Sequence, residues 1–238
     1  MSNPNLVIVP TYNEVENIPQ LLKELNEKAP HCDVLVVDDN SPDNTADSVK
    51  TFAKNHPQVH LLSREKKDGL AGAYIAGFRW GLERHYDRFV QMDADFSHSP
   101  ADVPRLIKAL ETYDQAMGSR YVKGGSTSGW TLPRVFISRG GNIYARTVLH
   151  LPFHDLTGGF NAHRRKVLET IGLGEITSRG YAFQVEIKYR TFKKGFTQTE
   201  IPILFENRKY GVSKMSQDIV KEAAFKVFQL RNLNLHKS

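Results

Sequence analysis

The first half of the chain alternates short apolar runs with segments of helical periodicity. Short runs of mostly apolar residues lie at 6–9, 34–37, 59–62 and 89–92, as in buried β-strands, with His60 and Gln91 as their polar members. Between the first two runs, apolar residues recur at helical spacing, at Ile18, Leu21, Leu22 and Leu25. Buried strands separated by helices predict an α/β fold, with a mostly parallel sheet flanked by helices on both faces.

Local signals predict where some of these helices begin. At the first helix, Asn13 with Glu16 resembles a capping box, whereas Pro19 favours a later start, and both remain open. Ser-Pro pairs at 41–42 and 99–100 predict an N-cap followed by proline in the first turn of the second and fourth helices. The glycine-rich run GLAGAYIAG at 69–77 lacks the spacing of a dinucleotide-binding loop and favours close packing of a helix on the sheet.

Polar clusters follow three of the four predicted strands. They read PTYNE at 10–14, DDNSPD at 38–43 and DADFSH at 93–98. In a parallel sheet these clusters lie along one edge, beyond the carboxyl ends of the strands, where α/β proteins bind ligands. Loops of this kind are commonly polar, but turns alone do not require so many carboxylates. The sequence therefore predicts a binding site at this edge.

The pair Asp93 and Asp95 predicts a metal site. If the strand continued through them, both side chains would point the same way, which is costly unless a cation lies near. Mg²⁺ and Mn²⁺ take oxygen ligands and commonly bind one or two carboxylates together with substrate phosphates. Asp38 and Asp39 add to the acidic edge. The alternative is structural: Asp95 could cap a turn before the helix that Ser99 opens.

The middle of the chain is basic and contains no acidic residue from 115 to 154. Its cations are Arg120, Lys123, Arg134, Arg139 and Arg146. They are interspersed with apolar residues such as Trp130, Phe136 and Ile143, and the C-terminal segment 218–238 has a similar composition. This mixture is typical of a helix at the surface of an anionic membrane, although two ordinary amphipathic helices would also fit. Because aromatic platforms interleaved with basic residues are not evident, we expect no nucleic-acid partner.

Length, charge and cysteine content limit the number of domains, the kind of partner and the compartment that the sequence allows. With 238 residues the chain can form one large α/β domain or two small ones, and its net charge of +6 favours anionic partners. The single cysteine, Cys32, excludes an internal disulfide and fits a reducing cytoplasm. We expect no signal peptide, and no segment approaches the roughly 18 apolar residues that span a bilayer.

The motifs together resemble those of family 2 glycosyltransferases with a GT-A fold, and within them the polyprenol-phosphate (dolichol-phosphate) mannosyltransferases of the short form without membrane helices. The likeness extends from about residue 5 to 215. The motifs that carry it are VIVPTYNEVENI, VVDDNSPDNT, REKKDGLAGAY, MDADFSHSP, GSRYVKGG, ISRGGN, DLTGGF and ENRKYGVSK. Among these motifs, the series GSRY, ISRGGN and DLTGGF is specific to the polyprenol-phosphate branch.

The resemblance implies a role for each site residue. The nucleoside would be held by Pro10, Tyr12, Glu14, Val37 and Asp39. The sugar diphosphate would be lined by Asp93, Ala94 and Asp95 and gripped by Arg208 and Lys214. Asp95 would be the main ligand of Mg²⁺ or Mn²⁺, with Asp93 beside it, and Ser97 stands where some relatives have a glutamine ligand. The acceptor phosphate would be held by Arg120, Arg134, Ser138 and Arg139, and the residues expected to act in catalysis are Asp93, Asp95 and Arg120.

The resemblance further implies an inverting transfer of mannose from GDP-mannose to a polyprenyl phosphate, whose product serves later glycosylation. We expect one domain over 1–238, with a nucleotide-sugar half at about 1–115, an acceptor half at about 116–215, and an amphipathic helix and tail at about 216–238. We also expect peripheral attachment to the cytoplasmic face of a membrane, directly or through an anchoring partner protein. Two alternatives remain open: another donor such as UDP-glucose, or a non-catalytic protein of this fold that binds anionic membrane or RNA.

Overall fold

The computed structural model describes residues 4–66, 68–207 and 217–233, with side chains in the last segment described from residue 223 onward. The predicted diphosphate-binding residues Arg208 and Lys214 lie outside these ranges.

The first half of the chain follows the predicted alternation of strands and helices. Its elements are β1 (Asn5–Thr11), α1 (Ile18–Lys28), β2 (Cys32–Asp38), α2 (Thr45–Ala53), β3 (Val59–Ser63), α3 (Gly69–Glu83) and β4 (Arg88–Gln91). All four predicted strands are present. The apolar residues of β1, β2 and β4 are buried, whereas β3 lies at the edge of the sheet and is mostly only partly buried.

The second half completes the sheet and adds helices outside it. A 3₁₀ turn at Pro100–Asp102 leads into α4 (Val103–Ala109). The following elements are β5 (Gln115–Ser119), β6 (Ser126–Thr127), α5 (Leu132–Leu149), β7 (Asn161–Arg164), α6 (Arg165–Thr170), a 3₁₀ turn (Leu173–Glu175), α7 (Gly180–Lys193), β8 (Gln198–Pro202), β9 (Leu204–Phe205) and α8 (Gln217–Leu230).

Seven strands form one mostly parallel sheet in the order β3-β2-β1-β4-β7-β5-β8. Only β7 runs antiparallel to its neighbours in this sheet. Alternate residues of β1 enter two different cores: Val7 and Val9 pack with the side chains of α1, α2 and α4, whereas Leu6 and Ile8 pack with those of α3, α6 and α7. Helices therefore cover both faces, as predicted.

The glycine-rich helix α3 lies close against the sheet, as its sequence predicted. A Cβ atom added at Gly77 would stand 2.6 Å from Cγ2 of Ile8, and one added at Gly81 would stand 2.5 Å from Cε1 of Phe89. Real Cβ atoms do not approach so closely, so glycine at these positions lets the helix approach β1 and β4.

Helices α5 and α8 pack outside the sheet, against α7. Their shared core consists of Ala145, Leu149, Leu151, Leu156, Val185, Tyr189, Val227 and Leu230. This third core places the basic helix α5 at the edge of the molecule.

Two local predictions were wrong. Helix α2 begins at Thr45 rather than after Ser41, because the Ser41 hydroxyl instead donates to Asp38 Oδ1 at 2.6 Å. Strand β4 ends at Gln91, so Asp93 and Asp95 lie in a loop and strand alternation does not align them. At α1 the later start is correct, because the helix begins at Ile18 with Pro19 in its first turn and no side-chain cap.

Candidate active site

Loops at the carboxyl ends of β1 and β2 are joined by hydrogen bonds. The Thr11 hydroxyl donates to Asp38 Oδ1 at 2.9 Å, and the amides of Asn13 and Val15 donate to Ser41 Oγ and Asp43 Oδ2 at 3.0 and 3.1 Å. The clusters PTYNE and DDNSPD thus form one surface at the predicted edge of the sheet.

The residues predicted to hold a nucleoside lie on this surface, except for the side chain of Val37, which belongs to the core. Asp39 is buried and accepts from Arg64 Nη1 at 2.7 Å and from the amide of Asp68 at 3.3 Å. Pro10, Tyr12 and Glu14 are partly exposed; they lie at the end of β1 or in the loop that follows it. The Val37 side chain belongs to the core under α3, so this residue could offer a ligand only its main chain. Arg64, which fixes Asp39, is a site residue that the sequence did not single out.

A network of neutral groups holds Asp93. Its Oδ1 lies 3.2 Å from the Tyr74 hydroxyl, and its amide donates to His98 Nδ1 at 3.1 Å. Burial raises the pKa of Tyr74 well above its ordinary value, so the phenol keeps its proton. Burial also lowers the pKa of His98, whose ring stacks on Phe160 at 4.8 Å between centroids. His98 is therefore a neutral hydrogen-bond acceptor that supports the loop of the two aspartates.

Asp95 also makes the turn that the structural alternative predicted. Its Oδ1 accepts from the Ser97 amide at 3.0 Å. Asp93 and Asp95 both line a cavity of about 340 Å³, whereas Ser97 is buried beside them and is not part of the cavity wall. Capping a turn and facing the cavity are thus compatible for the same carboxylate.

The donor set fits a hard divalent cation only if the substrate supplies further ligands. Among the described residues, no three His, Cys, Asp or Glu side chains cluster as a metal group. Two carboxylates on one cavity wall nevertheless match the manner in which Mg²⁺ is commonly held, with phosphate oxygens and water as the other ligands. Asp93 and Asp95 are the residues that would hold it.

The cavity has a charged end and an apolar end. At the charged end lie Asp93, Asp95, Arg120, Arg134 and Thr157. The rest of the wall, contributed by α5, α7 and α8, is mostly apolar, with Ile137, Tyr144, Ala145, Ala182, Val185, Ala223, Ala224 and Val227. Such a shape suits an amphipathic ligand, with its polar group at the carboxylates and its hydrocarbon between the helices.

Arg120 is held at the charged end by a buried ion pair. Its Nε and Nη2 donate to the two carboxylate oxygens of Asp155 at 2.7 and 2.6 Å, and Nη2 also donates to Thr157 Oγ1 at 2.9 Å. Burial alone would lower the pKa of Arg120, but the charge and hydrogen bonds of Asp155 raise it above its ordinary value. Burial raises the pKa of Asp155, but Arg120 and Lys188 lower it, so that it lies below its ordinary value. Both partners are therefore charged.

The structure separates the four residues predicted to bind the acceptor phosphate. Arg120, Arg134 and Ser138 line the cavity of the two aspartates. Arg139 lies on another face of α5 because successive helical residues are turned by about 100°, and it lines a second cavity of about 330 Å³ with Tyr121, Asn142, Ile143, Arg146 and His154. Arg134 Nη1 donates to Asn207 Oδ1 at 2.9 Å, with its guanidinium 4.1 Å from the centre of the Trp130 ring.

The outer face of α5 and α8 is apolar and exposed. Phe136 is 72% exposed, Ile143 65% and Phe225 65%, and Leu132 and Phe228 are more than half exposed. The cations Arg139 and Arg146 accompany them on α5. Packing between α5, α7 and α8 uses the other sides of these helices, so it does not account for this face. No helix in the described ranges is long and apolar enough to cross a bilayer.

Comparison with known proteins identifies close relatives. Residues 6–172 match the Glycosyl transferase family 2 domain. The chain is 50% identical over 222 residues to the undecaprenyl-phosphate mannosyltransferase of Micrococcus luteus, covering 93% of this chain and 91% of that protein. It is 46% identical over 224 residues to the polyprenol monophosphomannose synthase of Mycolicibacterium smegmatis, covering 93% and 84%.

Solved structures share the fold at low identity. Glucosyl-3-phosphoglycerate synthase from Mycobacterium tuberculosis, in complex with Mn²⁺, UDP-glucose and glycerol 3-phosphate, superposes with a TM-score of 0.66 at 17% identity, over 95% of this chain and 78% of that one. A mannosyltransferase from Pyrobaculum calidifontis, in complex with GDP-Man and Mn²⁺, gives 0.58 at 18% identity, over 97% and 75%. The chain has the GT-A-like fold that the resemblance implied.

Proposed function

Because the chain belongs to glycosyltransferase family 2, we propose that it transfers mannose from GDP-mannose to a polyprenyl phosphate, with inversion at the sugar carbon and with Mg²⁺ or Mn²⁺ as cofactor. The observation that carries this proposal is the single cavity that joins Asp93 and Asp95 to an apolar channel between α5, α7 and α8. The two curated relatives, which are named for mannosyl transfer to polyprenyl phosphates, support it.

The acceptor needs both ends of this cavity. A prenyl chain gains free energy by leaving water for the apolar channel, at about 25 cal/mol for each Å² buried. Its phosphate would then lie at the charged end, where Arg120 and Arg134 are positioned to offset its charge. Arginine suits this role because its planar fork of donors matches phosphate oxygens.

The donor would occupy the opposite side of the two aspartates. The base and ribose would lie on the surface formed by PTYNE and DDNSPD, and Asp93 and Asp95 would face the diphosphate. A divalent cation bound there supplies charge that stabilises the departing diphosphate. Both solved structures described above contain Mn²⁺ with a nucleotide sugar. In this chain, Arg208 and Lys214 remain predicted contributors.

The proposed reaction requires no strong general base. A phosphate monoester has a second pKa near ~6, so the acceptor is already an anionic nucleophile at neutral pH. One acceptor oxygen forms a bond to the anomeric carbon as the bond from that carbon to the diphosphate breaks, and the electron pair leaves with the nucleoside diphosphate. Attack from the opposite side converts an α-mannosyl donor into a β-mannosyl phosphate.

We further propose that the outer face of α5 and α8 rests on the cytoplasmic surface of a membrane. Its exposed aromatic and aliphatic side chains would enter the headgroup region, and Arg139 and Arg146 would meet anionic lipids. The acceptor's tail would then pass from the bilayer into the channel between the same helices. An anchoring partner protein could share this surface.

A transfer assay tests the reaction and the donor together. The protein is given labelled GDP-mannose and a polyprenyl phosphate with Mg²⁺ or Mn²⁺, and we expect labelled lipid that disappears with EDTA. Asp95→Asn should reduce kcat/KM by about 100-fold or more, as expected for loss of a ligand to a catalytic metal. UDP-glucose is the competing donor. If more sugar is transferred from UDP-glucose than from GDP-mannose, the protein is a glucosyltransferase rather than a mannosyltransferase. If no sugar nucleotide is used and anion binding survives Asp95→Asn, the non-catalytic alternative is correct.

A further inference from the structure

A lysine in the core of α7 uses its whole hydrogen-bonding capacity on one loop. Lys188 is fully buried, and its Nζ donates to the carbonyl oxygens of Asp155, Leu156 and Gly158 at 3.0, 3.1 and 2.8 Å. An ammonium group has three N–H donors, so these three bonds satisfy it completely. The loop 155–158 is thus held from the side of α7.

Other residues hold the same loop from its opposite side. Asn142 Oδ1 on α5 accepts from the amides of Leu156 and Thr157 at 2.7 and 3.0 Å. Glu200 Oε1 on β8 accepts from the amide of Asp155 at 2.9 Å. The loop therefore has its carbonyl groups directed at a lysine and its amides directed at α5 and β8.

The loop in turn fixes Arg120. The Asp155 carboxylate accepts hydrogen bonds from Nε and Nη2, which form one edge of the guanidinium, and the Thr157 hydroxyl accepts a third bond from Nη2. Thr157 and Gly158 are themselves part of the cavity wall. A displacement of the loop would therefore move both the wall and the arginine.

The charges around Lys188 keep it protonated near neutral pH. Burial lowers its pKa to about 8; Asp155 and Glu200 raise the pKa and Arg120 lowers it. His163 also faces this region, and burial lowers its pKa to about 3, so it adds no charge.

We propose that Lys188 is a positioning residue for the acceptor phosphate: it acts through the loop 155–158 to hold Arg120 at the charged end of the cavity. The Nζ of Lys188 donates to the three carbonyl oxygens of the loop, and Lys188 lies outside the cavity wall. The assignment rests on the proposed function, because it takes this end of the cavity as the acceptor's phosphate site.

Helix α7 offers a matched control. Arg190 is also a buried cation on this helix. It donates to the carboxylates of Glu186 and Glu175 at 2.8 and 3.0 Å and to the carbonyls of Ile171 and Glu175 at 3.1 Å. These groups are not part of the cavity wall. Replacement of either cation by methionine leaves buried carbonyls unpaired, and Arg190→Met also leaves the buried Glu186 carboxylate without its cation, but only Lys188→Met disturbs the loop of Arg120.

The experiment compares Lys188→Met with Arg190→Met. We expect Lys188→Met to raise the KM for a polyprenyl phosphate by about tenfold or more, because the released loop no longer holds Arg120 at the charged end, while the KM for GDP-mannose stays within about twofold. Arg190→Met should lower the Tm and leave both KM values near wild type. An unchanged acceptor KM in Lys188→Met, or equal increases in the two variants, would overturn the assignment.

Binding of farnesyl phosphate, measured by calorimetry, separates this inference from the proposed function. If the wild type binds the probe and Lys188→Met binds it equally well, the role of Lys188 is wrong. If the wild type binds no prenyl phosphate, the proposed function fails and this assignment falls with it.

A wild-type measurement covers the case in which neither variant folds. Above pH about 8 the Lys188 amine is neutral and has two N–H donors for the three carbonyl oxygens of the loop. The loop then holds Arg120 less firmly, so the KM for the acceptor, measured with Mg²⁺, should rise several-fold between about pH 7 and about pH 9.5. The acceptor phosphate is already doubly ionised over most of this range, and the KM for GDP-mannose, which should stay flat, is the internal control. A flat acceptor KM would contradict the proposal.

Discussion

At the scale of single residues, Asp93 and Asp95 face the cavity from a loop whose shape is fixed by hydrogen bonds to His98 and Ser97. Two aspartates directly after a buried strand predicted their place at the sheet edge. The surroundings of Asp93 depend on Tyr74 from α3 and on His98, whose ring packs against Phe160 and Phe205. His98 shares a loop with the aspartates, but its burial depends on residues more than 60 positions away, which local pattern cannot reveal.

The buried pair of Arg120 and Asp155 shows the same limit. The first acidic residue after the long basic stretch is Asp155, and this placement was the one signal in the sequence that pointed to it. Its partner could not be identified without knowing that β5 and the loop before β7 lie side by side. The motif DLTGGF contained the residue, but the sequence did not assign it a role.

The separation of Arg134 from Arg139 gives a residue-scale prediction. Arg134→Ala removes a cation from the wall of the acidic cavity, so the KM for a polyprenyl phosphate should rise about tenfold, as for a lost charged hydrogen bond of about 1.5–3 kcal/mol. Arg139→Ala is the matched control on the same helix, and with a short-chain acceptor in detergent it should change that KM less than threefold. The test is the acceptor KM of the two purified variants. A larger increase in Arg139→Ala than in Arg134→Ala would place the acceptor phosphate in the second cavity.

At the scale of elements, the sequence predicted the four strands of the first half and the mixed apolar and basic character of α5, but not the strands of the second half. Buried strands follow from short apolar runs, and α3 follows from its small residues. The start of α2 was mistaken because Ser41, a good N-cap by type, is engaged by Asp38 from β2. Different sides of helix α5 lie in three environments: the core shared with α7 and α8, the cavity wall, and the exposed outer face.

The outer face of α5 gives an element-scale prediction. The double variant Phe136→Ser/Ile143→Ser should bind vesicles of phosphatidylcholine with phosphatidylglycerol at least about tenfold more weakly, because burial of each side chain is worth about 1.5–3 kcal/mol. Cosedimentation measures the binding. Tyr113→Ser, which replaces an exposed aromatic outside α5 and α8, is the control and should bind as the wild type does. Equal binding by all three proteins would remove this face from the proposed membrane surface.

At the scale of the whole molecule, the sheet order brings the two halves of the site together. β4 lies between β1 and β7, so the loop of Asp93 and Asp95 stands between the acidic edge of β1 and β2 and the basic half that contains β5 and α5. The segregation of charge along the sequence predicted two regions with different ligands. The sequence could not place α8 beside α5, because weak amphipathic periodicity does not specify a partner, and the apolar channel depends on that pairing.

The central claim is that a metal-bound diphosphate and a prenyl phosphate meet at the charged end of this cavity. The most direct measurement is a crystal structure of the protein with Mn²⁺, GDP and farnesyl phosphate, with the metal located by its anomalous scattering. We expect Mn²⁺ at the Asp95 carboxylate, the farnesyl phosphate against Arg120 and Arg134, and its chain between α5 and α8. Manganese away from both aspartates, or a farnesyl phosphate seated outside this cavity, would contradict the account.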